Sequence, residues 1–181
     1  MFLAFASSAL AGPTKVAQHD AGVDWVTGYV PVAKGSLFYA FFPHPNASAP
    51  LAIWLQGGPG ASGIQDGLLT INGPLTLSPS GTTLVPRPVS WASSFAMLYV
   101  DSPVGTGYSY AANESISSYA ASSYPEVSSM LTQLLDSVYD ELQLWPRANP
   151  LLVTGESCPP LGLNHGLCTR RTWPLYCEAQ Q

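Results

Sequence analysis

Residues 51–60 read LAIWLQGGPG. Five apolar residues in a row, closed by a glycine-rich stop, describe a strand buried on both faces rather than one that alternates. Such strands belong to parallel sheets, whose two faces are both covered. Two further runs have the same character: FAMLYV (95–100), stopped by Asp101-Ser102-Pro103, and LLVT (151–154). GYVPVAKGSLFYAFF (28–42) alternates instead and predicts a hairpin turned at Lys34-Gly35. Between the second and third buried runs, Val127, Met130, Leu131, Leu134, Leu135, Val138, Tyr139 and Leu142 repeat at helical spacing. Ser123-Tyr124-Pro125-Glu126 has the form of a capping box at the start of that helix, and Trp145-Pro146 is expected to end it. Strand, crossover helix and strand make a βαβ unit, so the fold class is α/β with a mostly parallel central sheet. The apolar stripe is core, not a cofactor site. No internal repeat or linker divides residues 12–157, which read as one domain.

Composition narrows the function classes. The 181 residues are 46% apolar and 9% charged, enough for one sizeable core. A net charge of −5, with no basic cluster beyond Arg170-Arg171, argues against a nucleic-acid partner. No run approaches the ~18 apolar residues of a membrane span. The opening MFLAFASSALAG ends its apolar run in Ala9-Leu10-Ala11, which suits a signal-peptidase site over residues 1–11, although it has no basic n-region. Asn46-Ala47-Ser48 and Asn113-Glu114-Ser115 are N-glycosylation sequons, so Asn46 and Asn113 are candidate acceptors on a secretory route. All three cysteines (Cys158, Cys168, Cys177) fall after residue 157, and their spacing fits no zinc pattern. No metal or cofactor is implied.

The chemistry gathers at the ends of the buried runs. Ser157, directly after LLVTGE, stands where a nucleophile elbow turns its hydroxyl into solvent. The flanking pattern is half complete, since Gly155 is small but Pro159 replaces the second glycine. Gly57-Gly58-Pro59-Gly60 ends another such strand, where backbone N–H groups of glycines approach a reacting carbonyl closely. In α/β-hydrolases the second oxyanion donor is the N–H after the nucleophile, here Cys158. Gly105-Thr106-Gly107 is a fragment of a dinucleotide fingerprint without its third glycine, and no nucleotide site is read from it.

Taken together, LAIWLQGGPGASG, PVSWASSFAMLYVDSPVGTGYSY and LLVTGES, in this order and spacing, resemble the serine carboxypeptidase family of secreted, lysosomal or vacuolar α/β-hydrolases. The resemblance runs from about Trp25 to Ser157, and WLQGGPG is similar to the retinoid-inducible branch in particular. It implies removal of the C-terminal residue of peptides through an acyl-enzyme. On it, Ser157 is the nucleophile, Gly58 and Cys158 are oxyanion donors, and Gln56, Gly57 and Glu156 bind the substrate's terminal carboxylate. Two carboxylates in contact must share a proton, which predicts tighter binding at acidic pH. The family's glutamate two residues before a Gly-Pro is absent, because Ile71-Asn72-Gly73-Pro74 stands there. Asp101 matches a family position and is read as structural, anchoring the loop after its strand.

A triad on this fold follows the order Ser, Asp or Glu, His. After Ser157 the chain holds no aspartate, one glutamate (Glu178) and one histidine (His165). His165 stands eight residues on, where the family that the chain resembles has a helix leading away from the sheet, and His19 and His44 precede the nucleophile with no motif around them. Pro159 and Pro160 disfavour the helix that should start behind the elbow. Residues 158–181 therefore read as an atypical tail, foreign to the fold, as if a reading frame or exon boundary were lost after Ser157. A sheet ending at the nucleophile strand would leave an exposed edge. The expectation is an incomplete α/β-hydrolase, by resemblance a serine-type carboxypeptidase but inactive as this chain alone. A carboxypeptidase-like acyltransferase and a non-catalytic secreted binding protein are the rivals.

Overall fold

The computed structural model describes residues 12–58, 60–112 and 123–157, with the backbone of 168–170. Its strands are β1 (Val16–Asp20), β2 (Val23–Val32), β3 (Gly35–Phe42), β4 (Leu51–Leu55), β5 (Leu75–Leu77), β6 (Leu84–Pro86), β7 (Ala96–Asp101), β8 (Tyr110–Ala111), β9 (Leu151–Gly155) and β10 (Cys168–Arg170). The main sheet runs β1-β2-β3-β7-β4-β9-β10, with β8 on the edge of β3, and β5-β6 form a separate hairpin. β7, β4 and β9 are parallel neighbours, as the three buried runs predict. Lys34, at φ +73, turns the predicted hairpin between β2 and β3.

Register sets up the site. Leu55 pairs with Val100 on one side and with Gly155 on the other. The three parallel strands therefore end level, and Gln56, Asp101 and Glu156 come off the same carboxyl edge. Ligands of open parallel sheets bind outside that edge.

Both faces of the sheet are covered by described residues. The helix α1 (Tyr124–Asp136) continues as a π-helical turn, Ser137–Glu141, and every residue of the predicted stripe is buried. It packs with Leu51, Ile53, Leu55, Leu98 and Val100. Trp54, Tyr99, Met97 and Phe42 point to the other face, against the π-helix Gly63–Asn72. Each fully buried aliphatic or aromatic side chain contributes about 1.5–3 kcal/mol.

Two expectations need correction. The helix ends four residues before Trp145-Pro146, because Gln143 takes φ +49. Trp145 then turns inward, its indole N–H donating to the Ala49 carbonyl at 3.0 Å. The second concerns the edge of β9, which is not bare: Cys168–Arg170 pair antiparallel with Leu151–Val153. Three tail residues thus adopt a strand that periodicity did not reveal. The rest of the tail and the segment 1–11 lie outside the described residues.

Candidate active site

Ser157 is exposed and holds φ +61, the left-handed region that residues with side chains rarely adopt. The other non-glycine residues there, Ala21, Lys34 and Gln143, sit in turns or at a helix end. Ser157 alone among them follows a parallel strand of the sheet's interior. Strained backbone at such a place is characteristic of a strand that must reverse sharply to present a side chain. Glu156 before it is tied to the sheet by a long bond from its N–H to the Leu55 carbonyl, 3.4 Å.

The neighbouring strand supplies the facing wall. Gln56 Nε2 donates to Glu156 Oε2 at 2.8 Å. Trp54 Nε1 donates to Gln56 Oε1 at 2.9 Å, so the amide is oriented with its NH₂ toward Glu156. Gln56 is 8% exposed whereas Glu156 is open to solvent. That bond uses one of the two N–H groups of the Gln56 amide. Gly57 is buried, and its carbonyl accepts from Ala61 N–H at 3.1 Å. Gly58 and Gly60, at φ +115 and +110, are both exposed, and a side chain at either position would be strained.

Asp101 does more than anchor its own loop. Its Oδ1 accepts from Ser62 Oγ at 2.6 Å and from the Ile64 N–H at 3.2 Å, while Oδ2 accepts from the Tyr108 N–H at 2.9 Å. The carboxylate is fully buried. It thereby ties the exit of the glycine turn to the loop after β7. Ser62 also caps the π-helix by accepting from Gln65 N–H at 3.0 Å. Sequence reading missed both Trp54 and Ser62 as site residues; the Ser62-x-x-Gln65 spacing was the available signal.

The predicted gap in acidic groups is visible. Ile71 is 39% exposed, and Asn72 beside it is buried with its carbonyl accepting from Tyr99 Oη at 2.9 Å. Neither described histidine reaches Ser157. His19 does pair with Asp24, at 2.6 Å, but on β1, five strand spacings or roughly 24 Å from β9. His44 follows β3, which runs antiparallel to β7, and so lies at the amino edge near Ser93, 3.4 Å away. Cys158, His165 and Asn113 lie outside the described residues. Asn46 is exposed, its Oδ1 accepting from the Ser48 N–H at 3.0 Å. The described residues contain no helix long and apolar enough to cross a membrane.

A level carboxyl edge, a strained serine after one parallel strand and a glycine turn after the next define a member of the α/β-hydrolase class, present here in part. More narrowly, the chain belongs to the serine carboxypeptidase family, whose model matches residues 14–158. It is 36% identical over 137 residues to the probable serine carboxypeptidase CPVL of Rattus norvegicus, which covers 72% of this chain and 27% of the relative. It is 38% identical over 138 residues to the venom serine carboxypeptidase of Apis mellifera, covering 72% and 28%. The lysosomal protective protein of Mus musculus is 32% identical over 140 residues, covering 72% and 27%. The matched part thus spans little more than a quarter of these relatives' length.

Proposed function

We propose that this chain carries the nucleophile and carboxylate-binding part of a serine-type carboxypeptidase. The observation that carries the reading is the Gln56–Glu156 hydrogen bond at 2.8 Å beside the left-handed Ser157. A peptide's terminal carboxylate accepts from the free N–H of Gln56 and from the Gly57 N–H, and shares a proton with Glu156. Ser157 Oγ then attacks the carbonyl of the last peptide bond. The oxygen of that carbonyl takes the negative charge, facing the N–H groups of Gly58 and Cys158. Collapse of this adduct releases the terminal residue, and water later frees the acyl group.

The Oγ proton needs a base, and no described histidine is near enough to take it. Loss of the base in a serine hydrolase lowers kcat on the order of 10⁶. The 181-residue chain by itself is therefore expected to bind peptides and to turn them over negligibly. That same gap supports a second reading, a secreted binding protein without catalysis. The route is secretory, with secreted or lysosomal and vacuolar destinations, and Asn46 and Asn113 are glycan acceptors. The similarity to the lysosomal protective protein of Mus musculus and the exposed Asn46 sequon support this.

Binding of acetyl-Ala-Leu and of its C-terminal amide, compared at pH 5 and pH 8, tests the site. The free acid should bind more tightly than the amide, and its advantage should shrink as pH rises, because the shared proton is lost. Equal binding of acid and amide at pH 5 would remove the carboxypeptidase reading. Fluorophosphonate labelling separates the two readings: slow modification of Ser157, abolished in Ser157→Ala, favours the enzyme.

A further inference from the structure

An aromatic surface lies over β2, β3 and β8, away from the strands that carry Gln56 and Ser157. It begins with Tyr108-Ser109-Tyr110, where alternate side chains take opposite sides. Ser109 is the buried one: its hydroxyl donates to the Asp101 carbonyl at 2.6 Å and accepts from the Phe38 N–H at 2.7 Å. Tyr108 and Tyr110 are 63% and 53% exposed. Tyr108 meets the Phe38 ring at 5.1 Å between centres, and Tyr110 meets the Tyr29 ring at 5.4 Å. Phe38 and Tyr29 are direct cross-strand partners, and their rings touch at 5.1 Å. Gly35 lets β8 close on β3, because a Cβ there would overlap the Tyr110 carbonyl. Four rings are thus set in a row by strand pairing and one buried serine, with little freedom left to lose on binding.

The charge around these rings is one-sided. The buried Asp101 carboxylate accepts only from neutral donors, one of them the Tyr108 N–H, and has no ion-pair partner among the described residues. Burial raises the pKa of Tyr29, and the Tyr110 phenol and Asp101 raise it further, so the field of Asp101 reaches the rings. Aromatic faces are negative as well. Every lysine and arginine side chain among the described residues is engaged elsewhere. Lys15 bonds the Leu142 carbonyl, Lys34 pairs with Glu126, Arg87 bonds two carbonyls at the end of the π-helix, and Arg147 pairs with Asp136 and Asp140. We propose that this surface docks an arginine side chain of a protein partner. A planar guanidinium stacks on an exposed ring while its N–H groups donate to phenol oxygens. An open row of rings suits a planar cation better than a quaternary ammonium, which is held in a cage. The net charge of −5 attracts a basic partner from a distance. This docking does not depend on the carboxypeptidase reading.

Titration of the whole 181-residue chain with acetyl-Arg-Gly-Arg amide, followed by NMR of the tyrosine rings, tests this. The blocked end of the probe offers no carboxylate to Gln56 and Glu156. The signals of Tyr29, Tyr108 and Tyr110 should shift, while that of Tyr139, buried under the helix on the other face, should not. Citrulline in place of both arginines keeps the shape without the charge and should weaken binding about tenfold. Tyr110→Leu keeps an apolar side chain but removes the ring face, and should weaken the arginine peptide about fivefold. Tyr110→Phe keeps the face and should stay within about twofold of the parent. Should the leucine variant not fold, the citrulline peptide still decides on the parent chain. Equal binding of the arginine and citrulline peptides, tighter binding of choline than of the arginine peptide, no shift at the three tyrosines, or a folded Tyr110→Leu protein with undiminished affinity overturns the proposal.

Discussion

At Ser157 the backbone holds φ +61, and a side chain in that region costs about 1–2 kcal/mol. Glycine would remove this strain but give the unfolded chain more freedom to lose, which offsets about half of the gain. Ser157→Gly should therefore raise stability by about 0.5 kcal/mol in urea unfolding, and Ser157→Val should lower it by more than 1 kcal/mol. A destabilised Ser157→Gly would show that the elbow is unstrained. Asp101 is the opposite kind of residue, fully buried with all its bonds internal. Asp101→Ala leaves two backbone N–H groups and the Ser62 hydroxyl without their acceptor, for a loss of about 3 kcal/mol in the same assay. Asp101→Asn keeps the volume but turns an NH₂ toward a donor, so it should fall between. Sequence identified Asp101 as an anchor. It did not reveal the reach to Ser62 and Ile64, 39 and 37 residues earlier, because such a contact exists only once β4 and β7 lie side by side.

At the scale of elements, the π-helix Gly63–Asn72 was the segment least legible beforehand. Glycines at 63 and 67 depress helix propensity, and Gly73 with Pro74 closes the helix at once. Packing explains both glycines: a Cβ at Gly63 would overlap the Val100 backbone, and one at Gly67 the Trp54 indole. Gly67→Ala sets two effects against each other. Helix propensity favours alanine by about 1 kcal/mol. Displacement of Trp54, packed edge-on against Trp91 at 5.4 Å between ring centres, costs about 1–3 kcal/mol. The substitution should therefore be net destabilising. It should also weaken acetyl-Ala-Leu, because Trp54 orients the Gln56 amide. Unchanged peptide affinity in a folded Gly67→Ala protein would mean that this indole bond does not position Gln56. The start and the buried face of the helix α1 were legible because its stripe and its capping residues agree, the Ser123 N–H donating to Glu126 Oε2 at 3.2 Å, whereas its end was not.

Over the whole molecule, burial raises the pKa of four tyrosines, Tyr29, Tyr39, Tyr99 and Tyr139. Desolvation lifts Tyr39 and Tyr99 well above the usual phenol range, and lifts Tyr139 to about 12 against a smaller lowering by Arg147. In the unfolded chain these groups ionise near pH 10. Above that pH the unfolded state binds fewer protons than the native one, so stability falls as pH rises. Unfolding free energy should hold up to about pH 10 and decline between about 10 and 12, with Tyr99→Phe reducing the slope. A flat profile through that range would contradict the burial. From sequence alone came the α/β class, the three parallel strands, the crossover helix and the four residues Gln56, Gly58, Glu156 and Ser157. The fold features, Gly58 and Ser157 follow from local rules of periodicity, turn chemistry and motif order, whereas Gln56 and Glu156 came only from the family resemblance. Tertiary structure decided what joins them: the common end point of β7, β4 and β9, the Gln56–Glu156 bond and the double reach of Asp101. The physical reason is that side-chain contacts across a sheet depend on strand order and register, and parallel neighbours here are separated by 45 to 100 residues of chain.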